Sequence, residues 1–314
     1  MNDVTVVIVH WNNPDHLSRC LDALAQQTVA PDRIIVVDNA SENAPRRLAI
    51  SLQQHDSIRW IWNRTNVGFA AAVNQAVGVA QTRWVTTLNP DAFVAVGWLE
   101  SLLNAAEEHN EFTFFGSALL NPCGRIDGAG DALHVSGLAW RQLHGEDISR
   151  MPTSPKEVMS VCAAAAMFLR SAFLEVGGMD ERYFCYFEDV DLAVRLRQAG
   201  HRCLLVPQAV AYHIGGGSGV TKDTQIYYGH RNLIWTFWKS FSVNSWRSFM
   251  QLANHLLYQF ITLLWHAWRG HPLAIWRAKW DGFVGLLRIR KHKSPRSEFP
   301  LDMAETGWLT PLRK

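Results

Sequence analysis

Four short runs dense in β-branched and aromatic residues, Val4–Val9, Arg33–Val37, Ile58–Trp62 and Trp84–Leu88, alternate with segments of helical spacing. No other feature restricts the fold as strongly. The first two runs are apolar in sequence, as for strands covered on both faces. Between them Leu17, Cys20, Leu21 and Leu24 recur at helical intervals, with Asp15 placed to cap that helix. A second, alanine-rich helix is expected from Phe69 to about Ala80, and a third over Trp98–His109. Strand and helix in alternation with short links specify an α/β fold with a parallel sheet. Right-handed crossovers bring the carboxyl ends of all four strands to one rim, where open α/β sheets bind ligands.

That rim carries chemistry. Pro90 cannot donate to a ladder and pushes Asn89 toward extended geometry, so the fourth strand stops and leaves Asp91 at the edge. A lone carboxylate there suits Mg²⁺ or Mn²⁺ otherwise held by water and a diphosphate; a plain turn aspartate is the alternative. Asp38 ends the second strand and is suited to accept from a pyrimidine N3–H or a ribose hydroxyl. Arg64, in the loop leading to Asn66 and Gly68, offers a charged fork for a diphosphate. No G-x-G-x-x-G follows the first strand and no Walker loop occurs, which argues against a dinucleotide oxidoreductase and a P-loop NTPase.

Asn110 to Ser160 is rich in glycine and carries little periodic signal; the small apolar run Cys162–Leu169 and a helix over Ser171–Val176 follow. Glu188, Asp189 and Asp191 then open a helix that ends at Gly200. The helix dipole accounts for one or two acids at that position. The aromatic run Tyr183–Phe187 beside them would raise a carboxyl's proton affinity, as a general base requires. A strand from Cys203 leads to His213 and the glycine-rich Ile214–Gly219, where the histidine can be a metal or diphosphate ligand or merely structural, and the glycines a phosphate nest or a hinge.

The last third differs in charge. Residues 231–297 hold eleven Lys or Arg against the single acid Asp281, a local +10 within a net charge of +2. Seven of the 14 tryptophans lie between Trp235 and Trp280. The most apolar piece, Leu256–Trp268, is interrupted by Gln259, Thr262 and His266 and falls short of the roughly 20 apolar residues of a spanning helix. Amphipathic helices rich in Trp, Lys and Arg lie in the membrane interface; the alternative is that they pack on the catalytic unit with the tryptophans as core. No reading motif accompanies the charge, which disfavours nucleic acid. Five cysteines without a C-x-x-C pair read as reduced core thiols, and the absence of a signal peptide points to the cytoplasm.

Taken together, Val36–Ser41, Asn66–Phe69, Leu88–Asp91, Glu188–Asp191 and His213 occur in the order seen in family 2 glycosyltransferases of the GT-A fold, and the chain resembles the bacterial rhamnosyltransferase-like branch over about residues 3 to 240. The basic, Trp-rich composition reads as a helical membrane-associating region over 231–298, followed by a tail over 299–314; the resemblance implies a GT-A domain over 1–230 (nucleotide half 1–110, acceptor and catalytic half 111–230). It implies Asp189 as catalytic base with Glu188 beside it. His10, Asn12, Asp38, Arg64, Asn66, Gly68 and Asn89 fall in the nucleotide group, Asp91 and His213 at a divalent cation, and Asp191 and Trp11 toward the acceptor. Asn89 departs from the family's D-x-D, which leaves the metal site one carboxylate short. The implied activity is inverting transfer from a nucleotide sugar, with dTDP-L-rhamnose as one donor, to a polyprenyl-diphosphate-linked glycan at the inner face of the bacterial plasma membrane. A UDP-hexose donor, or a non-catalytic nucleotide-sugar-binding scaffold, are the alternatives.

Overall fold

The structure is a computed structural model that describes residues 3–42, 57–216, 220–240 and 246–289. Its first half follows the expected alternation. Strands β1 (Val4–His10), β2 (Arg33–Asp38), β3 (Ile58–Trp62) and β4 (Trp84–Leu88) are all parallel, in the spatial order β4-β1-β2-β3. Helices α1 (Pro14–Ala25), α2 (Phe69–Val79) and α3 (Trp98–Glu108) connect and cover them. Side chains of β1 alternate between two cores: Val4, Val6 and Ile8 face α1 and α3, while Val7 and Val9 face α2. Burial of each such side chain contributes about 1.5–3 kcal/mol, which fixes the register of this central strand. Asn13, not Asp15, caps α1: its side chain accepts the His16 amide, and Pro14 occupies the first turn, where no amide donor is needed.

The second half extends the same sheet as a mixed one. Strands β5 (Ala92–Val94), β6 (Phe114–Leu120), β7 (Ile126–Gly128), β8 (Asp131–Leu133), β9 (Ala139–Arg141), β10 (Lys156–Glu157), β11 (Ala165–Leu169) and β12 (Cys203–His213) complete the set. Strand β11 runs antiparallel between β4 and β6, β12 runs parallel to β6, and β8–β9 form a separate ribbon. The segment Asn110–Ser160 therefore contains a fully buried central strand, β6, that its sequence signal does not reveal. Helices α4 (Arg170–Glu175) and α5 (Glu188–Gln198) pack on the α2 face.

Three helices follow, α6 (Lys222–Ser240), α7 (Trp246–Trp268) and α8 (Pro272–Gly285). The boundary expected at 230/231 falls inside α6, which is continuous with the catalytic half. Gly282 and Gly285 let α8 lie close on α6, since a Cβ there would come within 2.6 Å of Ile234 and 2.7 Å of Trp235. Helix α7 is polar inward and apolar outward. Asn254, His255, Gln259 and Thr262 are buried, while Phe249, Leu256, Phe260, Leu264, Trp265 and Trp268 are exposed. On α8 Leu273, Trp276, Trp280 and Phe283 form an exposed stripe that continues to Leu287. Among the described residues no helix is long and apolar enough to cross a membrane. Gly217–Gly219, Arg290–Ser297 and the expected tail 299–314 lie outside the described residues.

Candidate active site

The rim of β4-β1-β2-β3 is held by hydrogen bonds between strand ends. His10 closes β1 opposite Asp38, and its Nδ1 donates to Asp38 Oδ1 at 2.9 Å, while Nε2 accepts the Asn13 amide at 3.2 Å. Burial works against the Asp38 charge, but the bonds from His10 and Ser41 outweigh it and hold the carboxyl below the usual range. His10 is fully buried and its ring supports Asp38, which is itself 2% exposed. An ionised carboxylate has about four lone-pair directions, and these two donors leave Asp38 with acceptor capacity. Asn12 is exposed and accepts the Glu42 amide, Trp11 is half-buried, and Arg64 is exposed in its loop.

Asn39 knits the next loop. Its Oδ1 accepts the Val67 amide at 3.0 Å, and its Nδ2 donates to Asn66 Oδ1 at 2.8 Å and to the Gly68 carbonyl at 3.1 Å. Asn66 Oδ1 also takes the Gly68 amide. Asn66 thus shapes the turn rather than leaving its oxygen free for a ligand. Neither charge nor spacing marks Asn39 in the sequence. Gly68 has φ +87°, and the Phe184 carbonyl accepts the amides of Phe69 and Ala70 at 2.6 and 3.2 Å. The start of α2 is therefore closed by protein, not open to an anion.

Phe184 belongs to a strained aromatic loop. Phe184, Tyr186 and Phe187 all have φ between 66° and 69°, a cost on the order of 1–3 kcal/mol each. Asn232, buried on α6, offsets this by sharing its amide among the carbonyls of Tyr183, Cys185 and Tyr186 at 2.7–3.0 Å. The loop delivers the acids of α5 to three different environments. Asp191 is 1% exposed and bound by Arg195, Lys239 and the Tyr183 hydroxyl; it is a buried ion-pair anchor and does not face an acceptor. Glu188 is buried, one of its oxygens has no hydrogen-bond partner, and desolvation with the Asp189 charge raises its proton affinity far above normal. Its burial sets it apart from a base at the surface of the site.

Asp189 is the half-buried one. Its Oδ2 accepts the Ala163 amide at 3.2 Å and its Oδ1 the Val190 amide at 2.9 Å. The next residue along, Ala164, accepts the Asn89 amide at 2.8 Å. Because β11 runs antiparallel to β4 with Ala165 opposite Leu88, the residues before it pass directly beside the Asn89–Asp91 turn. Asp189 and that turn are therefore fastened to consecutive residues of one segment. Burial raises the proton affinity of Asp189, partly countered by these amides and by Arg141.

Asp91 and His213 meet because β5 pairs antiparallel with β12, with His213 opposite Ala92. His213 Nε2 lies 3.7 Å from Asp91 Oδ1, beyond a hydrogen bond, and Nδ1 lies 2.8 Å from Asp127 Oδ2. Asp127 is also bonded by Arg141, whose Nη2 reaches Cys162 Sγ at 3.3 Å. Burial opposes the Asp127 charge, and its bonds to His213 and Arg141 hold it low. Arg141 also bears electrostatically on Asp189 and on buried Asp131, whose carboxyl is pushed up to about 7 by burial and by Asp189. Asp127, Asp131 and Arg141 all come from the stretch without periodic signal, and their contacts depend on β7, β8 and β9. An acid directly before a glycine-rich turn, Asp127-Gly128-Ala129-Gly130, is the only hint the sequence offers.

Among the described residues no group of three His, Cys, Asp or Glu side chains could hold a metal unaided. Asp91 and His213 supply one oxygen and one nitrogen, a donor set that suits a divalent cation whose other ligands are water and diphosphate oxygens.

A family model described as glycosyl transferase family 2 matches residues 5–177. The N-acetylglucosaminyl-diphospho-decaprenol L-rhamnosyltransferase of Mycobacterium tuberculosis (strain H37Rv) is 28% identical over 293 residues, covering 82% of this chain and 94% of the relative. The O-antigen chain rhamnosyltransferase RfbN of Salmonella typhimurium is 25% identical over 219 residues, 67% of this chain and 66% of its own length. Among solved structures, GalNAc-T7 with UDP, GalNAc and Mn2+ superposes with a TM-score of 0.59 at 17% identity, over 74% of this chain and 47% of that one. S. aureus TarS superposes with a TM-score of 0.55 at 14% identity, over 81% of this chain and 42% of that one. These two likenesses are likenesses of fold.

Proposed function

The chain belongs to glycosyl transferase family 2, and from that premise we propose that it transfers a sugar, L-rhamnose from dTDP-L-rhamnose, to a polyprenyl-diphosphate-linked glycan at a membrane surface. It is a glycosyltransferase; the donor, the acceptor and the residue roles are the proposal. The observation that carries it is the shared segment Ala163–Ala164, which bonds Asp189 on one side and the Asn89 turn on the other. A base and the leaving-group end of a donor would lie on the two sides of the anomeric carbon in that arrangement.

In this reading Asp189 accepts the proton of the acceptor hydroxyl while that oxygen bonds to the anomeric carbon and the bond to the nucleoside diphosphate breaks, with inversion. The raised proton affinity of Asp189 suits that task. Asp38, oriented by His10, receives the nucleobase or ribose, and the Asn39–Asn66–Gly68 turn lines the nucleotide beside it. Asp91 and His213 would hold a divalent cation, Mg²⁺ or Mn²⁺, which supplies charge neutralisation to the departing diphosphate. The relative from Mycobacterium tuberculosis, whose name specifies a decaprenol-linked acceptor and rhamnose, supports the choice of substrates.

The inverted helix α7 and the stripe on α8 support the membrane. Exposed Trp265, Trp268, Trp276 and Trp280, with Arg269 stacked over Trp265 at 4.4 Å, are the composition of a helix lying in a lipid interface. Of the alternative, packing on the catalytic unit is seen in Phe237 and Leu252 against Leu133 and Val190, and Trp235 is buried, but these four tryptophans are exposed. A panel of dTDP- and UDP-sugars incubated with the protein, vesicles carrying a polyprenyl-diphosphate-sugar and Mn²⁺ or Mg²⁺ tests the reading. Transfer from dTDP-L-rhamnose is expected. Transfer only from a UDP-hexose would replace the donor, and no turnover of any donor would leave a binding scaffold.

A further inference from the structure

Asp127 has no part in the functional reading above, yet it is buried and bonded to two side chains of the site, His213 and Arg141. We propose that Asp127 is a positioning residue: it fixes the ring of His213 with Nδ1 protonated and the Nε2 lone pair turned toward Asp91. This deepens, and for the use of Nε2 rests on, the glycosyltransferase reading.

The geometry is specific. A neutral imidazole carries one N–H, and a carboxylate can only accept. With Asp127 Oδ2 at 2.8 Å from Nδ1, the proton belongs on Nδ1, which leaves Nε2 as an acceptor. Nε2 then faces Asp91 Oδ1 at 3.7 Å, two acceptors side by side without a hydrogen bond between them. Two donor atoms at that spacing suit a shared cation, and a direct histidine–aspartate hydrogen bond would bring them closer. Asp127 is fixed in turn: it lies on β7, which is paired with β6, its side chain is bound by Arg141, and its carbonyl is bonded to His144 Nδ1 at 2.8 Å. A carboxylate behind a ligating imidazole sets both tautomer and ring orientation. It also compensates for Asn89, because a site with one carboxylate fewer depends more on how its histidine is held.

The tautomer can be read without turnover. In protein labelled with ¹⁵N-histidine, the His213 ring is identified by the signal lost in His213→Gln, and long-range ¹H–¹⁵N couplings distinguish Nδ1–H from Nε2–H. The inference expects Nδ1–H in the wild type at neutral pH and its loss in Asp127→Asn. The same variant should bind Mn²⁺, in the presence of the nucleoside diphosphate, on the order of 10–100-fold more weakly. An Nε2–H ring in the wild type overturns the inference even if the variant does not fold, and so does Mn²⁺ affinity unchanged in Asp127→Asn. Absence of donor turnover by the wild type would count against the proposed function and leave the tautomer assignment standing.

Discussion

The Phe184 carbonyl closes the amino end of α2 at Gly68: it accepts the Phe69 amide at 2.6 Å, and a Cβ on Gly68 would sit 2.6 Å from the same oxygen. This contact joins the half proposed to bind nucleotide to the loop that carries Asp189, so one backbone approach places the two relative to each other. Gly68→Ala meets both a left-handed φ and a backbone clash that no rotamer relieves. It should lower stability by about 1–3 kcal/mol and weaken nucleotide binding. Urea unfolding and nucleoside-diphosphate titration of the same variant measure the two effects.

Asp189→Asn keeps the shape of the side chain and removes its basicity. Transfer should fall on the order of 10²–10⁴-fold while nucleoside-diphosphate affinity stays within a few-fold. Near-normal turnover in this variant would rule out Asp189 as the base.

The pH profile carries the same assignment. Burial sets the Asp189 proton affinity above that of an ordinary aspartate, so activity should fall as pH drops through a value higher than for an exposed carboxyl. Arg141 favours the ionised form. Arg141→Gln should therefore move the acid limb of kcat further toward neutral pH, which a rate–pH series on both proteins measures.

Much of this was readable in the residues and some was not. Strands β1 to β4 announce themselves because a parallel strand buried on both faces must be apolar throughout, and Pro90 marks the end of β4 chemically. The Asn39 network, β6 and the Asp127–Arg141 pair are not marked, since their residues follow no period and acquire partners only through pairings distant in sequence. The three acids of α5 show the limit most clearly. They share one motif, yet Asp191 is neutralised by Arg195 and Lys239, Glu188 is desolvated, and only Asp189 is half-buried. Spacing places all three on one helix turn; only the tertiary surroundings sort them into a buried ion-pair anchor, a desolvated acid and the proposed base.

Lys279 gives a stability test separate from catalysis. It is buried between α6, α7 and α8, with Nζ bonded to Thr262 Oγ1 at 2.9 Å, to His230 Nδ1 at 3.1 Å and to Gln259, and its proton affinity is depressed to about 7 by burial. Unfolded, the same amine titrates near 10.5, so between about 7 and 10.5 the unfolded chain binds the extra proton and stability rises with pH. The slope from this group approaches roughly 1.4 kcal/mol per pH unit in that window. Buried His230 and His255, also depressed by desolvation, take stability away as pH falls below 6.5. Lys279→Met should flatten the alkaline slope and raise stability at neutral pH. Urea midpoints across the pH range test this.

The outward face of α7 and α8 makes the membrane reading quantitative. Leu287, Trp268, Leu273 and Trp280 are 92%, 78%, 76% and 61% exposed, whereas Gln259 and Thr262 on the same helix as Trp268 are buried and bonded to Lys279. Water on the apolar side would leave α7 with its hydrophobic residues in the wrong solvent, and an exposed patch of this kind marks an interaction surface. Lipid would resolve the inversion in the proposed function, because a membrane interface accepts Trp and Leu and anionic headgroups attract Arg. Flotation with anionic vesicles should carry the wild type upward and leave the triple variant Trp268→Ser, Trp276→Ser, Trp280→Ser behind. The variant should keep its fold, since these side chains are mainly in solvent, and should keep turnover of the soluble donor while losing transfer to a vesicle-borne acceptor. Equal flotation of both proteins, or no flotation of the wild type at any salt concentration, would remove the membrane from the proposal.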